Sequence, residues 1–249
     1  MRRTLEVPLD SIEAAILAAP FADRIELCDD LPSEGWSPTV GLIRGVAERI
    51  DTTRTSIVSM IRPRSANGSA LLDVAAFTTT PRILTDSLRE IEQSAKAGAH
   101  SVAIGLLTAE GFVDLEACAA MRDVALEHGL VVAFLRVFDL LEDRERGMGD
   151  LTSLGFTRVV TAGVLGWDAS VLTFPQRISV LASDVANASA AAARLGATPV
   201  EIVPGGGVRA SNAADFLSVS PHLHASCRHD GVFSADEVRA LRATLDETS

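Results

Sequence analysis

The sequence is poor in residues that several familiar chemistries require: its 249 residues include no tyrosine, a single lysine and three cysteines. The cysteines, Cys28, Cys118 and Cys227, lie far apart and form no CxxC pair, which argues against a zinc ribbon, a dithiol redox site and a disulfide framework. The single lysine, Lys96, follows no P-loop glycine pattern and comes just before a predicted strand. Schiff-base chemistry is therefore not expected, because βα proteins place their active sites at the other end of the strands.

Basic residues are also scarce, since 22 lysines and arginines stand against 33 acidic residues and the formal net charge is -11. This balance argues against a protein that binds the phosphate backbone of nucleic acids. No apolar run approaches the roughly 20 residues that a membrane helix needs. The first residues, Met1-Arg2-Arg3, lead into acidic residues rather than into the apolar core of a signal peptide. We therefore expect a cytoplasmic protein with no nucleic-acid and no membrane partner.

The chain does contain a regular alternation, because short apolar runs alternate eight times with segments of helical period, as in repeated βα units. The predicted strands are Thr4–Val7, Arg24–Cys28, Thr55–Ile61, Ser101–Leu106, Val131–Leu135, Arg158–Thr161, Val200–Val203 and His222–Ala225. The predicted helices are Ser11–Ala19, Thr39–Ile50, Arg82–Ala97, Leu115–His128, Arg144–Leu154, Ser183–Leu195, Asn212–Val219 and Ala235–Leu245. Because (β/α)8 barrels typically have about 250 residues, we predict one TIM-barrel domain over residues 1–249. An open, doubly wound sheet is the alternative.

Local signals mark where several of these helices begin and end. Ser37-Pro38, Thr80-Pro81 and Asp114 are typical of first-turn and N-cap positions. Glycines that suit a left-handed cap close four helices: Gly98, Gly129, Gly155 and Gly196. The stretch Gly163–Ala182 shows no clear period, and we predict a long loop with a short helix there.

The polar residues that follow the predicted strands are the candidates for chemistry, because βα barrels carry their functional groups at the carboxyl ends of the strands. Glu26 shares one face of its strand with Cys28, since side chains alternate along a strand. If that face points inward, two glutamates and two arginines converge near a histidine that could carry protons. The alternative is a set of structural ion pairs that close the top of the barrel. The predicted catalytic residues are Glu6, Glu26, Arg62, Arg136 and His224.

A second candidate site is the run Pro204-Gly205-Gly206-Gly207-Val208, at the end of the seventh predicted strand. Glycines let backbone N–H groups approach an anion closely, and the loops after strands seven and eight of such barrels frequently bind phosphate. The alternative is a tight strand-to-helix turn that only requires positive φ angles. The residues predicted to bind an anionic substrate are Gly205, Gly206, Gly207, Ser226 and Arg228.

Several segments, taken in order, resemble the CutC family of copper homeostasis proteins, and the match covers almost the whole chain. They include Ala22-Asp23-Arg24-Ile25-Glu26-Leu27-Cys28, Met60-Ile61-Arg62-Pro63-Arg64, Arg136 with Phe138-Asp139, Pro204-Gly205-Gly206-Gly207-Val208, and His224-Ala225-Ser226 with Arg228. The resemblance implies a TIM barrel, a link to copper, and a cytoplasmic homo-oligomer that we expect to be a dimer.

The resemblance also implies a copper(I) site, of which this chain keeps Cys28 as the metal ligand. The family usually carries Glu-Val-Cys-Val-Asp at the first strand, whereas this chain has Glu6-Val7-Pro8-Leu9-Asp10, so Pro8 stands where a copper-binding cysteine is proposed. The His-Arg pair expected after the fifth strand is Leu135-Arg136 here. Because copper(I) favours at least two soft ligands, we expect weakened copper binding. Two functions stay open: a CutC-like copper homeostasis protein, and a TIM-barrel enzyme or binder for a small phosphorylated or carboxylated metabolite.

Overall fold

The predicted alternation folds into a parallel sheet in the computed structural model, which describes residues 2–65 and 72–247. Eight parallel strands run through these residues: β1 (Thr4–Leu9), β2 (Arg24–Leu27), β3 (Ser56–Met60), β4 (Ser101–Ile104), β5 (Val131–Phe134), β6 (Arg158–Thr161), β7 (Glu201–Pro204) and β8 (His222–His224). Strands that are consecutive in the chain pair from β1 to β7, and β1 also pairs with β8. β7 lies beside β8, where the Ser220 hydroxyl donates a hydrogen bond to the carbonyl oxygen of Ile202 at 2.5 Å. The sheet is a nearly closed (β/α)8 barrel, which confirms the predicted fold.

Helices occupy the segments between the strands. They are α1 (Ile12–Ala18), α2 (Val40–Ala47), α3 (Val74–Phe77), α4 (Pro81–Ala97), α5 (Leu115–Glu127), α6 (Arg144–Ser153), α7 (Phe174–Leu195), α8 (Ala213–Leu217) and α9 (Ala235–Glu247). Within residues 2–65 and 72–247, none of these helices has the length and apolar character needed to cross a membrane.

The helix boundaries follow most of the local signals in the sequence. The side chains of Thr80 and Asp114 cap α4 and α5 by accepting hydrogen bonds from backbone N–H groups of the first turn. Gly98 ends α4 with φ of 106°, as a left-handed cap requires. The prediction of Pro38 in the first turn of α2 was wrong, because Thr39 is the N-cap of that helix and Pro38 lies outside it.

The prediction of a long loop with a short helix over Gly163–Ala182 was wrong in its second half. A 3-10 turn covers Ala169–Val171, but α7 then begins at Phe174, well before the predicted start at Ser183. A capping box between Thr173 and Gln176 stabilises the first turn of α7. The inward face of α7 includes charged residues, which hides its helical period in the sequence. Its buried residues are Arg177, Leu181, Asp184, Ala188, Ala191 and Ala192.

The register of β1 with β2 and β8 determines which polar residues lie level with one another inside the barrel. Glu6 is level with Arg24 of β2 and with His224 of β8. One step further along the strand, Pro8 is level with Glu26. The intervening residues of β1 have the opposite orientation and belong to the fully buried apolar core. The centre of the barrel is therefore polar, and the apolar core lies between the sheet and its helices.

Candidate functional site

A cavity of about 390 Å³ opens at the carboxyl end of the barrel, where the loops after the strands meet. The predicted residues that line it are Glu26, Cys28, Arg136, Gly206, Gly207, His224, Ser226 and Arg228. Much of the remaining wall is apolar and includes Met60, Phe77, Leu135, Val160 and Trp167. The other three predicted residues, Glu6, Gly205 and Arg62, are outside this lining. The structure thus brings most of the predicted site to one place.

Three titratable groups form a line from the barrel interior to the cavity: Glu6, His224 and Glu26. The Nδ1 atom of His224 donates a hydrogen bond to Oε1 of Glu6 at 2.9 Å. On the other edge of the imidazole, Nε2 lies 3.9 Å from Oε2 of Glu26. The second oxygen of Glu6 accepts a hydrogen bond from Nε of Arg24 at 2.7 Å and lies 3.4 Å from Nε of Arg158. One buried carboxylate therefore faces three cationic side chains.

The environment separates the proton affinities of the two glutamates. Burial acts to raise the pKa of Glu6, but the charges of Arg158 and Arg24 outweigh it. With the help of the hydrogen bond from His224, they hold the pKa of Glu6 well below its usual range. Burial acts to lower the pKa of His224, but the Glu6 hydrogen bond and the nearby carboxylates outweigh it and raise that pKa. Glu6 and His224 therefore form a charged pair.

Glu26 is the group of this line whose proton is exchangeable near neutrality. Burial, with repulsion from Glu6, raises the pKa of Glu26 to about 7 against the opposing charge of His224. Within the described chain, its Oε1 atom is buried without a hydrogen-bond partner. Since Glu26 lines the cavity, it can give a proton to a bound molecule or take one from it.

Arg62 lies behind the cavity wall, between two aromatic rings. Its guanidinium lies 4.2 Å from the ring centroid of Trp36 and 5.2 Å from that of Phe77. It also donates a hydrogen bond to the carbonyl oxygen of Gly35 at 2.9 Å. In this position Arg62 supports the wall formed by Phe77. Its predicted catalytic role stays a prediction.

Arg136 lies at the cavity and is held by Trp167. Its guanidinium lies 4.5 Å from the Trp167 ring centroid and donates a hydrogen bond to the carbonyl oxygen of the same residue at 2.5 Å. A second bond, from Nε of Arg136 to Asp139, has a length of 3.1 Å. The indole Nε1 of Trp167 is buried without a partner among the described residues, so it is a donor available to a ligand.

The glycine run after β7 forms a tight turn at the cavity. Gly206 and Gly207 have φ angles of 68° and 86°, and a Cβ atom on Gly206 would lie 2.7 Å from that of Ala162. Arg177 donates hydrogen bonds to the carbonyl oxygens of Gly205 and Gly206 at 3.1 and 2.7 Å. Conformation and space thus both require glycine at position 206. Anion binding by this run stays a prediction.

Arg228 lies in a short hairpin after β8, where Arg228–His229 pairs antiparallel with Val232–Phe233, and its guanidinium pairs with Asp10 after β1. It also donates a hydrogen bond to the carbonyl oxygen of Gly231 at 2.8 Å. Its Nε atom is buried without a partner within the described residues. Ser226 lines the cavity two residues before Arg228. Arg228 therefore keeps one donor for a ligand while Asp10 fixes its position.

Sequence reasoning missed three residues that shape the site: Arg24, Arg158 and Trp167. The first two are at the starts of β2 and β6, whereas functional groups of βα barrels are expected at the carboxyl ends of the strands. Strand alternation would have placed Arg24 on the face of Glu26, two residues away. Trp167 lies in the irregular stretch after β6, where the sequence has no period to orient it.

Comparison with known proteins identifies the family. A sequence model of the CutC family matches residues 3–228. The chain belongs to the CutC family. The human copper homeostasis protein CutC homolog is 30% identical over 227 residues, which cover 90% of this chain and 73% of the human protein. A CutC family protein of Bacteroides thetaiotaomicron is 33% identical over 159 residues, 64% of this chain, and is itself covered over 59% of its length.

A crystal structure of CutC from Streptococcus agalactiae has the same fold. It superposes with a TM-score of 0.74 at 23% sequence identity, over 90% of this chain and 98% of that one. At 23% identity, this similarity shows that the two proteins share the CutC barrel fold.

The described residues of this CutC barrel do not form the two-thiol copper(I) site that the resemblance implies. Burial, with the charge of Glu26, raises the pKa of the Cys28 thiol, which opposes the thiolate form that copper binds. The sulfur lies 3.7 Å from the carbonyl oxygen of Leu9, and Pro8 brings no second thiol to the cavity. Over the described ranges, no group of three or more His, Cys, Asp or Glu residues is arranged to hold a metal ion.

Proposed function

We propose that this CutC protein is an acid–base enzyme that acts on a small anionic metabolite, with Glu26 as the group that transfers the proton. The observation that carries the proposal is the position of Glu26, which faces the cavity with a raised pKa near 7 and an unpartnered oxygen. The charged Glu6–His224 pair behind it holds the imidazole in place and provides a fixed positive charge near the reacting atoms. This arrangement supports proton transfer at near-neutral pH.

The donors around the cavity support an anionic substrate. Three donor groups line the cavity. They are Arg136 after β5, the indole of Trp167 after β6, and Arg228 after β8. Two of them have a buried donor atom that no described residue satisfies. Because such donors are costly to leave unpaired, a carboxylate or phosphate oxygen is the partner they fit best. The apolar part of the lining would enclose the body of the molecule.

A role in copper homeostasis is what the name of the human relative states. For this chain, Cys28 has no second thiol in the described lining of the cavity, and the metabolite proposal is preferred. The cytoplasmic location and the homodimer stay predictions from the sequence and the family resemblance.

The test is a ligand screen followed by an isotope experiment. Carboxylated and phosphorylated metabolites are screened by thermal shift, where a ligand at 100 times its dissociation constant stabilises by about 2.7 kcal/mol. Compounds that bind are then incubated with the protein in deuterium oxide and followed by NMR. We expect the wild type to exchange a ligand proton for deuterium, and Glu26→Gln to bind the same ligand with exchange reduced at least a hundredfold.

Glu127→Gln, on the exposed end of α5, is the matched control and should keep the wild-type exchange rate. An exchange rate that is equal in Glu26→Gln and the wild type would overturn the proposed role of Glu26. A screen in which no anionic compound raises Tm would overturn the proposed substrate class.

A further inference from the structure

A second cavity, of about 370 Å³, opens at the opposite end of the barrel, below the amino-terminal ends of the strands. Its lining is basic and includes Arg2, Arg24, Arg54 and Arg158. Ser101 lies among them and accepts a hydrogen bond from Arg158 at 3.2 Å. A concentration of basic residues in one cavity is unexpected in a chain with a formal net charge of -11.

The buried cations beside this cavity outnumber the carboxylates that could neutralise them. Arg24 and Arg158 have side chains that are only 13% and 6% exposed, and both depend on Glu6. Glu6 is shared with His224, whose pKa is raised. Glu26 compensates little, because it is partly protonated at neutral pH. The barrel interior therefore has an excess of positive charge, which is costly to bury without a counter-ion.

Of the other acidic residues of this region, one is already bound and one is half exposed to solvent. Asp23, the only acidic residue in the described lining of the cavity, is held by Arg2 at 2.7 Å and Arg242 at 3.0 Å. It also accepts a hydrogen bond from the backbone N–H of Leu5 at 2.8 Å. Glu201 is half exposed and lies 3.8 Å from His222. The positive charge at this cavity therefore has no full counterpart in the described chain.

The guanidinium groups have donors left for an additional partner. Each guanidinium has five N–H donors, and Arg24 uses two of its nitrogens in bonds to Glu6 and to Thr4. In Arg158, Nε lies 3.4 Å from Glu6 and one terminal nitrogen bonds to Ser101, which leaves the other terminal nitrogen without a hydrogen bond to the described residues. Arg54 is exposed at the cavity and can close over a bound ion. A planar fork of donors of this kind matches a tetrahedral oxyanion.

We propose that the amino-terminal cavity binds a small oxyanion of the phosphate or sulfate class on Arg24 and Arg158, with Arg54 as the outer contact. The ion neutralises the excess charge of the barrel interior from the end opposite to the catalytic cavity. The charge excess uses the raised pKa of Glu26 on which the proposed function also rests, but the two proposals are tested separately, because the two cavities share none of their lining residues.

The experiment is a titration with inorganic phosphate, followed by thermal shift at constant ionic strength maintained with sodium chloride. We expect a saturable rise in Tm for the wild-type protein. Arg54→Gln should weaken the apparent Kd for phosphate roughly tenfold, as expected for the loss of one charge-assisted contact, and Arg54→Glu should abolish the saturable rise. Arg54 is exposed, so both variants should fold.

One control locates the ion. Arg82→Gln, on the exposed surface of α4, should leave the phosphate Kd unchanged. The proposal is overturned if chloride alone reproduces the rise in Tm, or if the Kd is insensitive to both substitutions of Arg54.

Discussion

At the scale of single residues, the site depends on two glutamates, of which one has close cationic partners and the other has only a distant one. Glu6 lies among Arg24, Arg158 and His224 and keeps its charge. Glu26 has only a distant contact with His224, at 3.9 Å, and burial favours its neutral form. Two glutamates on adjacent strands thus acquire different proton affinities, which is the arrangement that acid–base catalysis requires.

The raised pKa of Glu26 predicts a specific pH dependence of stability. The folded protein retains a proton on Glu26 up to about pH 7, whereas the ordinary value of 4.5 applies after unfolding. Between these values the folded state binds more protons, so stability falls as the pH rises. Relative to the wild type, Glu26→Gln should therefore gain unfolding free energy between pH 5 and pH 8, by up to about 3 kcal/mol. Urea unfolding at each pH measures this difference.

Glu127→Gln is the control for this comparison and should follow the wild-type pH profile. A Glu26→Gln profile that stays parallel to the wild type over the whole range would show that Glu26 titrates at its ordinary pKa.

Part of the site could be predicted from the sequence. Strand alternation predicted that Glu26 faces the cavity. The position of His224 near the carboxyl end of the eighth predicted strand indicated His224 as well. Alternation cannot reveal which neighbour lies level with which, because the register between strands depends on the whole sheet. The contacts of Glu6 with Arg24 and Arg158 needed that register.

At the scale of elements, the eight strands were predictable because each is a short apolar run bounded by helix stops. The described strands begin and end within two residues of the predicted ones. α7 was not predictable over its first half, because its inward face carries Arg177 and Asp184 in place of apolar residues. Asp184 accepts a hydrogen bond from Arg144 of α6 at 2.6 Å, and a partner on another helix cannot be inferred from local periodicity.

The glycine run after β7 predicts different costs at two adjacent positions. Gly206 combines a φ of 68° with a Cβ position 2.7 Å from Ala162, whereas Gly207 has a φ of 86° and open space. Gly207→Ala should cost about 1 kcal/mol of unfolding free energy for the backbone conformation alone. Gly206→Ala should cost roughly 1 to 3 kcal/mol more, because the added methyl overpacks the turn. Urea unfolding of the two variants provides the comparison.

The double variant Gly206→Ala/Ala162→Gly separates the two contributions. It should recover part of the steric cost and leave the conformational cost in place. Equal costs at positions 206 and 207, with no recovery in the double variant, would contradict this description of the turn.

At the scale of the whole molecule, the barrel has a polar axis enclosed by an apolar layer. The three cysteines belong to the closed part of this structure, since each is at most 1% exposed. Burial raises the pKa of Cys118 and of Cys227 to about 12, and that of Cys28 even further. No thiolate is therefore available near neutral pH while the barrel stays folded.

This protection predicts the reactivity of the thiols. In the folded protein at neutral pH, none of the three cysteines should react with a thiol reagent faster than the barrel unfolds, and all three should react in denaturant. A colorimetric thiol assay with and without urea measures this difference. Rapid modification of one thiol in the folded protein would show that its cavity opens without global unfolding.

An NMR titration can follow the proton of Glu26, which we propose is exchanged near neutrality inside the carboxyl-end cavity. The protein is labelled with 13C at the glutamate side-chain carboxyl carbons, and the Glu26 resonance is assigned by its absence in Glu26→Gln. We predict that this resonance titrates with a midpoint near 7, because burial raises the pKa of Glu26. A midpoint near the ordinary value of 4.5 would contradict the proposed acid–base function.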